Sequence, residues 1–169
     1  MSLETERGIK LSIALFVAAV LQAVFAERMS LFGARPDLIL TMILSGGLFC
    51  NTNSGAALGF FGGLFHASLA SPPHNGFGSL IVSRTLVGFA VGWFEERVER
   101  QHPLIAFGLI TGGTFVCEIL FFLFSPQRTP LYWIQNVLFT TLYNALISVP
   151  LFYLMRVILT SPEDRKTRF

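Results

Sequence analysis

Apolar residues gather along the chain into six runs, at 9–26, 36–50, 55–70, 79–94, 103–124 and 131–159, each closed by proline, glycine or a charge. A helix rises 1.5 Å per residue, so about 20 residues cross a 30 Å hydrocarbon core. The pattern predicts an all-α integral membrane protein, one domain built as a bundle of six transmembrane helices. The second run has only 13 strictly apolar-tract residues, from Leu38, and Pro36–Asp37 is expected to form its first turn with Pro at the first helical position. The third and fourth, 16 residues each, are also short and rich in glycine. That suits interior positions, where a helix packs against protein and lipid thickness matters less. The last run, 29 residues, must tilt, bend at Pro150 or emerge from the bilayer.

The connections set the orientation. Asn51-Thr52-Asn53-Ser54 reads as a tight polar turn, and 71–78, with two prolines and Asn75-Gly76, as a rigid one. Residues 95–102 form a charged loop read as a solvated face, and 29–35 mix Met, Leu and Phe with arginine, as a segment lying along the interface would. With the N-terminus inside, the inner face receives eight basic residues, namely Arg7, Lys10, Arg97, Arg100, Arg156, Arg165, Lys166 and Arg168. The outer face receives three, Arg28, Arg35 and Arg128. This asymmetry places both termini in the cytoplasm, with 160–169 as a short basic tail. Arg7 and Lys10 ahead of a run ending Val24-Phe25-Ala26 also resemble a signal peptide, but 18 apolar-tract residues are enough to span, and an uncleaved first helix is expected.

Composition agrees with the pattern. Of 169 residues 53% are hydrophobic and only 13% charged, and 18 are phenylalanine. A soluble domain carries about a quarter charged residues, so a water-soluble core is excluded. The net charge of +2 says little beside the distribution of the basic residues. Cys50 and Cys117 fall near opposite faces of the predicted bundle and read as small packing residues, without a disulfide.

Glycine spacing is the first motif. Gly55, Gly59 and Gly63 recur every four residues in the third run, and Gly88 and Gly92 form GxxxG in the fourth. Such spacing puts small residues on one face and lets backbones approach closely, within this chain or against a partner's helix. Ala14, Ala18 and Ala23 give the first run a similar stripe, and Gly108/Gly112 the fifth.

Depth is the second. Counting down from the outer ends, Arg84 lies about 7.5 Å, Glu118 about 9 Å and His66 about 6 Å into the bundle. An unpaired charge there costs several kcal/mol. The expectation is an Arg84–Glu118 ion pair with His66 beside it. Thr111 and Thr114 share the face of Glu118, as if extending a polar seam. Asn136, Thr140, Asn144 and Ser148 recur every four residues in the last run, the pattern of interhelical hydrogen bonding. The cluster reads as a structural tie or as a small-molecule or proton-linked site.

Enzyme templates fail. There is no Gly-rich phosphate loop, HExxH or GxSxG, and no cofactor is implied. His66, His74 and His102 fall in the membrane, the outer turn and the cytoplasmic loop, too scattered for one metal site.

Three segments carry a family resemblance: Arg35-Pro36-Asp37 before an apolar helix, the glycine-patterned stretch from Gly55 to Leu64, and Arg84-Thr-Leu-Val-Gly88-Phe89-Ala-Val-Gly92. Together they resemble MreD, the small polytopic rod shape-determining protein of bacteria, over residues 9–159. The resemblance implies a multi-pass protein of the bacterial plasma membrane that binds MreC. Through MreC and the actin-like MreB it is linked to RodA and a penicillin-binding transpeptidase in lateral peptidoglycan synthesis. It also implies a fold similar to the S components of energy-coupling-factor transporters. The lipid bilayer is the other expected partner, and nucleic acid is not one. The family commonly has an acidic residue near the end of the third helix, where this chain has His66; Glu118 is expected to have taken its role.

The leading expectation is a non-catalytic scaffold. MreC's transmembrane helix would lie in a groove of small residues on the first helix (Ala14, Ala18, Ala23) and the third (Gly59, Gly63), and its outer segment against the outer turns. The alternative is an S-component-like subunit binding a small anionic solute around His66, Arg84, Glu118 and Asn136.

Overall fold

The computed structural model describes residues 3–26, 28–30, 34–70, 76–95, 103–126 and 129–159. It contains six helices: α1 (Leu3–Phe25), α2 (Leu38–Gly47), α3 (Thr52–Leu69), α4 (Phe77–Glu95), α5 (Pro103–Phe124) and α6 (Pro130–Leu159). No strand occurs among the described residues. The chain is all-helical, and four helices, α1, α4, α5 and α6, are long and apolar enough to cross a membrane. Most of the rigid outer turn, the 95–102 loop beyond Glu95 and the basic tail lie outside the described residues, as do His74 and His102.

The shortest helix is the central one. α2 has ten residues, about 15 Å of rise and too little to span a bilayer. Nine of them, Ile39 to Gly47, are buried. Every other helix packs against it. Leu40, Leu44 and Leu48 join Val87, Val91, Ile110 and Phe152 in one core. Ile39, Met42 and Ile43 join Leu11, Leu15, Leu58 and Met155 in another. The thiols of Cys50 and Cys117 are buried in separate cores.

A helix this short and this buried must have its end groups satisfied by protein, because no water reaches them. At its C-terminal end the amides of Phe49 and Cys50 donate to the carbonyls of Gly46 and Gly47. Its N-terminal end is the site described below. Pro36 precedes the helix, and Asp37 is its N-cap, rather than both forming a first turn within it.

The glycines of the third and fourth runs make the tightest interface. A methyl group added to Gly59 would collide with the Arg84 carbonyl, and one added to Gly88 with the carbonyl of Gly55. Gly63 lies against Ile81 and Gly92 against Asn51 and Thr52 in the same way. The two backbones therefore touch along their length, which only hydrogen side chains permit. The third helix also begins earlier than its apolar run. Asn51 caps it by accepting from the Ser54 amide at 2.9 Å, so most of the expected polar turn is its first turn.

Proline opens both α5 and α6, at the position where its missing N–H costs no hydrogen bond. α6 runs 30 residues with Pro150 inside it. α1 is an integral member of the bundle through Leu11, Leu15, Ala18 and Ala19.

Candidate functional site

Side chains from four helices converge on the segment that starts α2. From α1, Gln22 clamps the backbone on both sides of Asp37. Its Nε2 donates to the Pro36 carbonyl at 3.1 Å, and its Oε1 accepts from the Leu38 amide at 2.7 Å. From α6, Asn144 Oδ1 accepts from the Asp37 amide at 2.9 Å. Asp37 itself caps α2, its Oδ1 accepting from the Leu40 amide at 2.8 Å. The Thr41 hydroxyl donates to the Asp37 carbonyl at 2.7 Å. The bonds to the Asp37, Leu38 and Leu40 amides satisfy donors that the first turn of a helix leaves open, while the Asp37 carbonyl also accepts the Thr41 amide at 2.9 Å.

The charged part lies on the second carboxylate oxygen. Arg84 Nη2, from α4, donates to Asp37 Oδ2 at 2.5 Å. Arg84 is 2% exposed and Asp37 5%. The same Nη2 lies 3.0 Å from His66 Nδ1, from α3. A guanidinium has donors only, so His66 Nδ1 is the acceptor in this contact. The same His66 Nδ1 lies 3.4 Å from Asp37 Oδ1. Two buried donors, Arg84 Nε and Asn144 Nδ2, have no partner among the described residues.

Arg84 and His66 therefore come together as expected, but the ion pair is with Asp37. The expected Arg84–Glu118 bond is not made. Glu118, half-buried on α5, forms none of the cluster's hydrogen bonds. The physical reason is the length of α2. Counting depth from the end of each apolar run puts Asp37 at the bilayer surface. α2 has only ten residues and starts inside the bundle, so its cap sits beside Arg84. Asp37 thus fills the acidic role that sequence reasoning gives to Glu118. Gln22 was also missed; a glutamine four residues from the end of an apolar run was the available signal.

Of the expected polar seam, Asn144 reaches the site. Thr111 and Thr114 turn back instead, donating to the carbonyls of Phe107 and Ile110 in their own helix. Ser148 does the same toward Ala145 at 2.6 Å. Thr140 is buried and Asn136 half-buried. The expected small-residue groove is only partly there. Gly59 and Gly63 are covered by α4, and Ala18 is buried in the core. Ala23 is exposed, in an apolar groove between α1 and α3 lined by Phe16, Ala19, Val20, Phe65 and Leu69.

No protein family, curated protein or solved structure matches this chain.

Proposed function

We propose that the chain is a non-catalytic membrane scaffold of the bacterial cell-elongation machinery, acting as MreD does, and that it binds MreC. In this reading it is a multi-pass protein of the plasma membrane with both termini cytoplasmic, and α3 and α2 taken with its flanking segments 34–37 and 48–51 complete the six passages. The observation that supports it is how Arg84 is used. Its Nη2 is taken up by Asp37 and His66 inside the protein, and the residue is buried. The cluster ties α1, α3, α4 and α6 to the start of α2, a device that fixes the shape of a bundle. A solute-binding site for an anion needs a free cation, and this one is paired. The apolar groove between α1 and α3 then serves as the seat for MreC's transmembrane helix, with Ala23 letting the backbones approach.

Co-purification from membranes tests the reading. A stable complex with an MreC-like protein, without a bound small molecule, is the expected outcome. A small molecule retained through purification together with an ATPase partner would sink the scaffold in favour of an S-component-like solute carrier.

A further inference from the structure

Two donors of the cluster meet no acceptor. Asn144 cannot be turned to help itself. The Asp37 amide is a donor, so Asn144 Oδ1 must face it, at 2.9 Å, and Nδ2 must face away. Arg84 holds Asp37 Oδ2 and His66 Nδ1 with its Nη2, while its Nε, one carbon away, keeps an N–H without a partner among the described residues. Arg84 is 2% exposed and Asn144 0%. Both side chains are anchored on one residue, Asp37, the first on its carboxylate and the second on its amide. They come from α4 and α6, which do not pack against each other among the described residues. A third orphan lies on the same side of α6. Thr141, one turn before Asn144, is buried, and its hydroxyl also lacks a partner among the described residues. Unmet buried donors are costly and rare, so a group of them marks a place where something binds.

We infer that Arg84, Asn144 and Thr141 hold one buried water molecule between α4 and α6. Its oxygen accepts from Arg84 Nε and from Asn144 Nδ2, and one of its hydrogens goes to the Thr141 hydroxyl. Three bonds are the usual number for a buried water. The chemistry of the site selects this ligand. Two N–H donors require an acceptor, which excludes a cation. Asp37 and Arg84 already cancel each other's charge, so an anion would bring an unbalanced charge into a place without solvent. A small neutral molecule with two lone pairs and hydrogens of its own meets both donors and the hydroxyl. The water gives α4 a link to α6 that direct packing does not supply, and it holds the guanidinium at Nε while Asp37 holds it at Nη2. The inference stands apart from the scaffold reading, since it uses only groups of this chain.

Proton-detected magnetic resonance of the full chain in lipid bilayers reads the site directly. Two donors on one oxygen bring their hydrogens to about 3 Å of each other. A direct cross-peak is therefore expected between Arg84 Nε–H and the Asn144 side-chain amide, although their helices do not touch. Each is also expected to show a cross-peak to a slowly exchanging water, while the amide of Leu44, buried inside α2, shows none. In Thr141→Val the water keeps two of its three bonds, so its cross-peaks weaken but remain, and the Leu44 resonance reports that the variant is folded. A missing water cross-peak at either donor in the wild-type chain overturns the inference. So does a missing direct peak between the donors, which would then not share a partner. Complete loss of the water peaks in folded Thr141→Val overturns it as well, because the signal was then relayed by the hydroxyl. Unchanged intensity there overturns the place given to Thr141.

Discussion

Asp37 and Arg84 are 47 residues apart in the chain and meet at 2.5 Å, each almost wholly enclosed by protein. The contact joins the cap of the most buried helix to the middle of α4, and removing either partner strands the other charge. Breaking a buried pair from one side costs about 3–5 kcal/mol, whereas removing both charges is often far cheaper. Asp37→Asn and Arg84→Met are therefore each expected to destabilise the bundle by about that much, and the double variant by less than the sum. Unfolding titrations in detergent measure it. Additive losses would mean that the two side chains do not act as a pair.

The interface of α3 with α4 leaves no room for a single carbon at Gly59, because the Arg84 carbonyl occupies the place. Gly59→Ala should force the helices apart at a cost of about 3 kcal/mol or more, the upper end of overpacking. Gly112 on α5 has nothing within 4 Å of where a Cβ would sit. Gly112→Ala is expected to be neutral or to stabilise by about 0.5–1 kcal/mol, the helical preference of alanine over glycine. Thermal unfolding of the two variants side by side decides the matter. Equal effects would contradict the packing described above.

Gln22 serves two backbone groups on either side of Asp37 with one side chain. Gln22→Leu fills similar space and leaves the Pro36 carbonyl and the Leu38 amide without partners, a loss of about 1–3 kcal/mol for each group left unmet. Hydrogen exchange at the Leu38 amide should accelerate in this variant while exchange in α5 stays unchanged. Unaltered protection at Leu38 would show that the clamp is dispensable.

Much of this architecture could be read from composition and spacing. The positions of all six helices follow from apolar runs because backbone groups in hydrocarbon must bond within their own segment. The α3–α4 contact follows from GxxxG spacing, since only glycine permits backbone contact and four-residue repeats align on one face. Arg84 and His66 were identifiable as neighbours for a similar reason, being polar groups at nearly the same depth in a hairpin, although the ion pair was expected with Glu118. Asp37 was not, because its depth depends on where α2 begins in space, and a run of apolar letters does not say whether its helix touches the surface. Asn144 stood out by its four-residue spacing, but its partner, the Asp37 amide, did not.

The division has one physical origin. Hydrophobicity, glycine content and helix ends are properties of neighbouring residues, so the sequence by itself determined an all-helical membrane bundle with a close α3–α4 hairpin and a costly buried charge. Which acid answers Arg84 depends on distances between helices far apart in the chain. Those are fixed only when all six pack together around α2. Tertiary structure chose Asp37 over Glu118, drew in Gln22 and Asn144 to hold it, and left Glu118 outside the hydrogen-bonded cluster.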